Sequence, residues 1–370
     1  MGAVLGANPG AGVLMPAAAF LFFVISGFVI YRPFVAAHLA GNPRPDIGRF
    51  YRSRLLRVLP LWALAVTAYL VVNGAGSLHG PGQWVLTYLL LQYPVAAIRF
   101  AVVGPAWALS VEWLFYLSAP LIALAMFHAR RRFAPRTAPV RAEATVLAAF
   151  FVVAWLVPAA RPAVAIVIGM AFAVFDVHRR VTRHTPRWLR LVTSNGWAIA
   201  LVTAAVWLVL GNYHYRPGLS VQWVQQDPAV LALWVGMATV WFVAAAFGRP
   251  DRSPQRQLGS PLAVRLSQLT FGLYLWHSLV LDQVLDHLGR AGNFEAIFYL
   301  TAIVSVLLAT ATYFLIERPS MQLIRRGSTA ARAATVSTAG AISTAGAGST
   351  TGSASAAGDA PRTVVARVDR

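Results

Sequence analysis

Among its 370 residues the chain has no cysteine and no lysine. The first absence excludes disulfides, thiolate metal sites and a cysteine nucleophile. The second fits codon bias in an alanine-rich chain and implies no mechanism. Charge is scarce as well: charged residues make up 12%, against about 25% in a soluble protein. No Walker-type loop, GxSxG elbow or HExxH occurs, so soluble-enzyme readings find no motif to rest on. What is abundant is apolar. Hydrophobic residues make up 58% and the mean hydropathy is +0.62. They fall in long runs, which predicts an all-α polytopic membrane bundle.

Hydropathy predicts about nine spans, near 13–31, 57–73, 107–127, 144–160, 162–177, 196–212, 228–247, 269–288 and 296–316, each close to the roughly 20 residues needed to cross. Leu86–Val103 is weaker, broken by Pro94 and Arg99, and reads as interfacial or re-entrant. The net charge of +19 does not point to nucleic acid, because the arginines lie between apolar runs. Of the 31 arginines, 27 fall in alternate loops and the C-terminal segment; the loops between hold only Arg99, Arg161, Arg216 and Arg290. The basic side is expected to be cytoplasmic. That puts the N-terminus outside, although no signal peptide precedes the first span. One more helix ahead of Met1 would return it to the cytoplasm and give ten spans. The expected domains are a membrane domain over 1–326 and a small-residue tail over 327–370, too polar and repetitive to bury a core.

Several polar residues sit where such spans do not need them. Arg54 and Arg57 share a helix face ahead of the second span, with Arg52 nearby. Their forks suit phosphate; as plain basic anchors they would snorkel to headgroups. Glu112 lies in an otherwise apolar span. An ionisable residue there is a functional candidate, unless it is shallow enough to reach the interface. His277 is either a hydrogen-bonded packing residue or a group lining a site. Asp282, Asp286 and His287 continue its helix outward and read as a solvated end sooner than a metal site, so no metal is expected. Ser26–Gly27 allows close backbone approach, for packing or for a ligand. The remaining histidines lack metal-ligand spacing.

Five stretches recur in order: FFVISGF at Phe22–Phe28, FYRSRLLRVLP at Phe50–Pro60, WALSVEWLFYLSAP at Trp107–Pro120, FGLYLWH at Phe271–His277 and YFLIERP at Tyr313–Pro319. Together they resemble the acyltransferase-3 family of membrane proteins, over about Phe20–Leu323. The resemblance implies transfer of an acyl group, often acetyl, from cytosolic acyl-CoA to a hydroxyl of a sugar or glycan. Acyl-CoA is then a donor substrate, and no cofactor is bound permanently. Arg54 and Arg57 match the family's RxxR pair and are expected to bind the CoA phosphates. Glu112 matches its acidic residue, in a pattern carried by Trp107, Leu109, Phe115 and Tyr116, with Ser110 two positions before it. Ala108 stands for the usual serine, and Trp113 for a frequent second glutamate. Tyr274, Trp276 and His277 match a tryptophan–histidine pair. Glu112 and His277 are the catalytic candidates; Ser26, Gly27, Trp107, Ser110, Tyr116, Tyr274 and Trp276 are expected to line the site. Glu317–Arg318–Pro319 matches a signature read as structural.

In the family a first-helix histidine is the base, preceded by an arginine about three turns earlier. Met1–Ala19 contains neither, so an upstream start or a degenerate, inactive member is expected. The rival readings are a transporter or flippase-like carrier and a non-catalytic scaffold. Membrane lipids, acyl-CoA and a glycan are the expected partners, in the plasma membrane, without nucleic acid.

Overall fold

The structure, a computed structural model, describes residues 9–74, 76, 78–133, 139–194, 196–214, 227–248, 254–289 and 293–324. The expected tail lies outside these residues. The chain divides into a unit over Met1–Met321 and a second over Gln322–Arg370, of which only Gln322–Ile324 is described.

Among the described residues there is no strand. The helices are α1 Pro9–Leu39, α2 Ile47–Asn73, α3 Pro81–Tyr88, α4 Ala106–Phe133, α5 Pro139–Leu156, α6 Ala163–Thr182, α7 Arg187–Ser194, α8 Gly196–His214, α9 Pro228–Ala246, α10 Gln255–Leu258, α11 Pro261–Ser267, α12 Thr270–Leu288 and α13 Phe294–Thr312. A π turn over Tyr313–Glu317 follows α13. Each predicted span coincides with one of the long helices. Five stretches are long and apolar enough to cross a membrane: Ala18–Leu39, Ile47–Asn73, Ala106–His128, Pro228–Ala246 and Phe294–Ile324. The pair α7–α8, bent by 81°, makes a sixth if it acts as one span. The remaining long helices carry polar groups among their apolar residues: α5 has Arg141 and Glu143, α6 has Asp176, Arg179 and Arg180, and α12 has His277, Asp282 and Asp286. The outer surface is apolar too, with Leu121, Leu201, Leu307 and Leu315 all exposed. Water would penalise such a surface; lipid does not. The architecture is a polytopic membrane helical bundle.

The hub is α1, which packs on α4, α6, α8 and α9. Its inner face buries Phe20, Phe23, Val24, Ile30, Tyr31, Phe34 and Val35. The closest crossing is with α6. A Cβ on Gly27 would lie 2.1 Å from the Ile166 carbonyl oxygen, and one on Gly169 would lie 2.1 Å from the Val24 carbonyl oxygen. Only glycine at both places lets these backbones touch. A few turns further along, buried Asp176 of α6 accepts from Arg32 of α1 at 2.8 Å, from Arg179 at 2.7 Å and from Arg180 at 2.9 Å.

Two boundaries differ from hydropathy. Asp46 caps α2, accepting from the Arg49 amide at 3.1 Å, so the helix starts ten residues before the apolar run. Charged residues hid this start, because hydropathy sees the span and not the helix. Leu86–Val103 does not span: α3 ends at Tyr88, and turns follow to Pro105. Leu90, fully buried, takes φ +60°, a rare conformation for a non-glycine residue. Side chains take up the turn's polar backbone, as buried peptide groups require. Trp62 Nε1 donates to the Thr87 carbonyl at 2.8 Å and Arg99 Nε to the Tyr93 carbonyl at 2.7 Å, while Tyr93 OH reaches out of the turn to the Ala159 carbonyl at 3.0 Å. Burial pushes the Tyr93 phenol up to about 12, against the lowering effect of Arg99.

Candidate active site

The site is built where α1, α2 and α4 meet. Glu112 of α4 is 1% exposed, which excludes the shallow, interface-reaching alternative. Two hydroxyls donate to the same carboxylate oxygen, Oε1: Ser26 from α1 and Tyr116 from one turn along α4. A buried carboxylate demands such donors, and hydrogen bonds to a charged acceptor are the strong ones.

Because α2 starts at Ile47, Arg54 and Arg57 lie about 10 and 15 Å along its axis. They are therefore part of the helix itself, at the start of its apolar run. The Arg54 guanidinium stands 5.1 Å above the Tyr116 ring and 5.7 Å from Phe50. Its buried Nε has no hydrogen-bond partner. The charges of both arginines act on Glu112. Arg57 is exposed and makes no ion pair among the described residues. Arg52, on another face, is exposed as well. The result is a buried carboxyl group held by two hydroxyls, beside two guanidinium groups with unused donors. Such donors fit phosphate oxygens.

The other expected residues divide. Trp107 packs edge-on against Phe23 at 5.9 Å and beside Tyr93 at 6.4 Å, forming a wall one turn from Glu112. Tyr274 of α12 donates to the Pro105 carbonyl and lies within electrostatic reach of Glu112. His277 lies 5.9 Å from the Tyr274 ring, between centroids. Its Nδ1 is 3.2 Å from the Leu273 carbonyl. A carbonyl only accepts, so Nδ1 carries a hydrogen, which leaves Nε2 as the ring nitrogen able to take up a proton. Ser110 is not brought to Glu112. It donates to the Leu90 carbonyl at 2.8 Å and accepts from the Tyr93 amide at 3.2 Å, fastening the irregular turn. Gly27 faces Gly169, and Trp276 donates to Thr312 Oγ1 on α13 at 3.2 Å. Both hold helices together.

Sequence reasoning missed three polar groups. Asp176 could have been read from arginines three and four positions on, a helical pairing pattern. Buried Glu143 accepts from Tyr31 OH at 2.8 Å, with His38 Nδ1 at 3.9 Å from the same oxygen; no spacing signals this. The third is Glu317, which reads in the sequence only as part of a structural signature and which the structure buries. No group of His, Asp and Glu among the described residues is arranged to hold a metal ion. An apolar groove of about 340 Å³ lies between α5 and α6, lined by Leu147, Phe151, Val167 and Ile168. Its lining holds no titratable side chain, so it carries no chemistry.

The model of the acyltransferase domain family matches residues 3–316. Nodulation protein 10 of Rhizobium leguminosarum bv. viciae is 23% identical over 333 residues, covering 84% of this chain and 83% of that protein. No solved structure matches. The match takes in α1 through most of the π turn, including Ser26, Arg54, Arg57, Glu112 and His277, and it follows that the chain belongs to the acyltransferase-3 family and is a membrane acyltransferase.

Proposed function

We propose that this enzyme transfers an acyl group, acetyl in the first instance, from acyl-CoA to a hydroxyl of a sugar or glycan. The carrying observation is the placement of Arg54 and Arg57, with unused donors, against a fully buried Glu112. The arginines bind the phosphates of the donor. Glu112, fixed through Oε1, sets the field at the reacting end and orients Ser26 and Tyr116. His277 Nε2 is the candidate proton acceptor for the attacking hydroxyl; general-base assistance of this kind is worth about 10²–10⁴-fold. The hydroxyl oxygen attacks the thioester carbonyl carbon, the carbon–sulfur bond breaks, and the proton leaves with the CoA thiol.

The test is equilibrium binding of acetyl-CoA to the purified chain in detergent. Arg54→Lys and Arg57→Lys keep charge but lose the fork, and each should weaken binding several-fold. Undiminished binding in the double Arg→Ala variant would reduce the pair to a topological anchor. The donor side is assigned to the cytoplasm by the arginine distribution. With no native cysteine, the orientation can be read directly. His79→Cys should react with an impermeant thiol reagent on intact cells and His184→Cys should not; the reverse pattern would invert the topology.

A further inference from the structure

The last helix changes pitch beside the site. Tyr313–Glu317 forms a π turn, a feature that often marks functional positions. One extra residue in a turn rotates everything after it by about 100°. Here the turn brings Glu317 inward, 7% exposed, onto α2 and α12. Room is made by Gly272: a Cβ there would lie 3.3 Å from Glu317 Oε1 and 3.1 Å from the Ala309 Cα. That Oε1 has no hydrogen-bond partner. A buried carboxylate oxygen left unsatisfied is costly, and natural folds seldom keep one without a use. The charge that acts on it is Arg57, the same exposed guanidinium whose charge acts on Glu112.

The two carboxylates in reach of Arg57 therefore differ. Glu112 is already engaged by two hydroxyls, whereas Glu317 keeps an open oxygen. We propose that Glu317 is a positioning residue for donor binding: the two groups are not paired in this structure, and when the donor binds Glu317 takes one edge of the Arg57 guanidinium and leaves the other edge to phosphate. This rests on the reading that Arg54 and Arg57 bind the acyl donor. The guanidinium has five N–H donors in a rigid fork, enough for a carboxylate on one edge and a phosphate on the other. A long, exposed arginine loses rotamer freedom when it binds, and a carboxylate contact that forms in the same step offsets part of that cost.

A carboxylate near a phosphate also repels it, and the two effects have opposite signs. Glu317→Gln keeps shape and removes charge, so it decides between them. The probes are acetyl-CoA and S-acetylpantetheine, which has the thioester and no phosphate. The variant should bind acetyl-CoA about tenfold more weakly and acetylpantetheine as the parent does. Placed on Arg57→Ala, it should add nothing further, because it acts through Arg57. Equal or tighter acetyl-CoA binding by Glu317→Gln would overturn the proposal and leave the arginine reading standing. Equal weakening for both probes would overturn it as well, marking Glu317 as a packing residue. Undiminished acetyl-CoA binding by Arg57→Ala would sink the arginine reading and this proposal with it.

Discussion

The seam between α1 and α6 and the seam between α2 and the end of the last helix are both polar lines through an apolar bundle, and they are finished differently. Along the first, glycine meets glycine, and Asp176 is bonded to three arginines. Along the second, Arg54 Nε and Glu317 Oε1 are buried without partners, and Arg57 has no ion pair among the described residues. A carboxylate with all its bonds made fastens helices; buried groups without partners leave bonding capacity for a ligand. Polarity inside the bundle thus has two uses, told apart by the carboxylate: both Asp176 oxygens accept from arginine, although Arg179 Nε is itself unpartnered, whereas Glu317 Oε1 accepts nothing.

The largest effect should come from breaking the first seam. Gly169→Ala places a methyl 2.1 Å from a backbone oxygen, with no flexible side chain to move aside. We expect a loss of about 3 kcal/mol, the upper end for overpacking, read as a lower melting temperature in detergent. A melting curve like the parent's would mean that the helices can separate cheaply. Next comes Asp176→Ala, which leaves three arginines around an uncompensated point. Removing one member of a fully buried pair costs about 3–5 kcal/mol. Arg32 and Arg180 are partly exposed, with side chains 38% and 62% accessible, and screening there reduces the expected loss to about 2 kcal/mol. The smallest change in stability should come from Glu112→Gln, within about 1 kcal/mol, because the amide oxygen can still accept from Ser26 and Tyr116. Acyl transfer should nevertheless fall about tenfold or more. A variant that melts like the parent and still transfers at the parental rate would remove Glu112 from the chemistry.

Much of the bundle was legible in the sequence, because membrane helices announce themselves by run length, and every predicted span falls on a long helix. Glu112 was legible for a related reason: a lone acid in an apolar run stands out. Its partners were not. Ser26 lies 86 positions away and Arg54 on a third helix, and no periodicity within one helix reveals which face meets which neighbour. Ser110 shows the same limit. The family resemblance put it in the site lining with Glu112, yet two residues along a helix is about 200° of rotation, and the hydroxyl faces the Leu90 turn instead. Gly27 could be recognised as a point of close approach, but only the fold identifies Gly169 as its partner. The burial of Glu317 was hidden because the π turn, which aims it inward, has no sequence mark.

The glycine contact also bears on how the protein moves. Two helices whose backbones touch have no side-chain layer between them to slide or repack, so α1 and α6 travel as one stiff pair. Opening that admits or releases a ligand then falls to the other wall of the site, where α2 and the last helix meet through side chains. Amide hydrogens of α1 and α6 should accordingly exchange slowly and together, while those flanking the π turn exchange first and mark the gate.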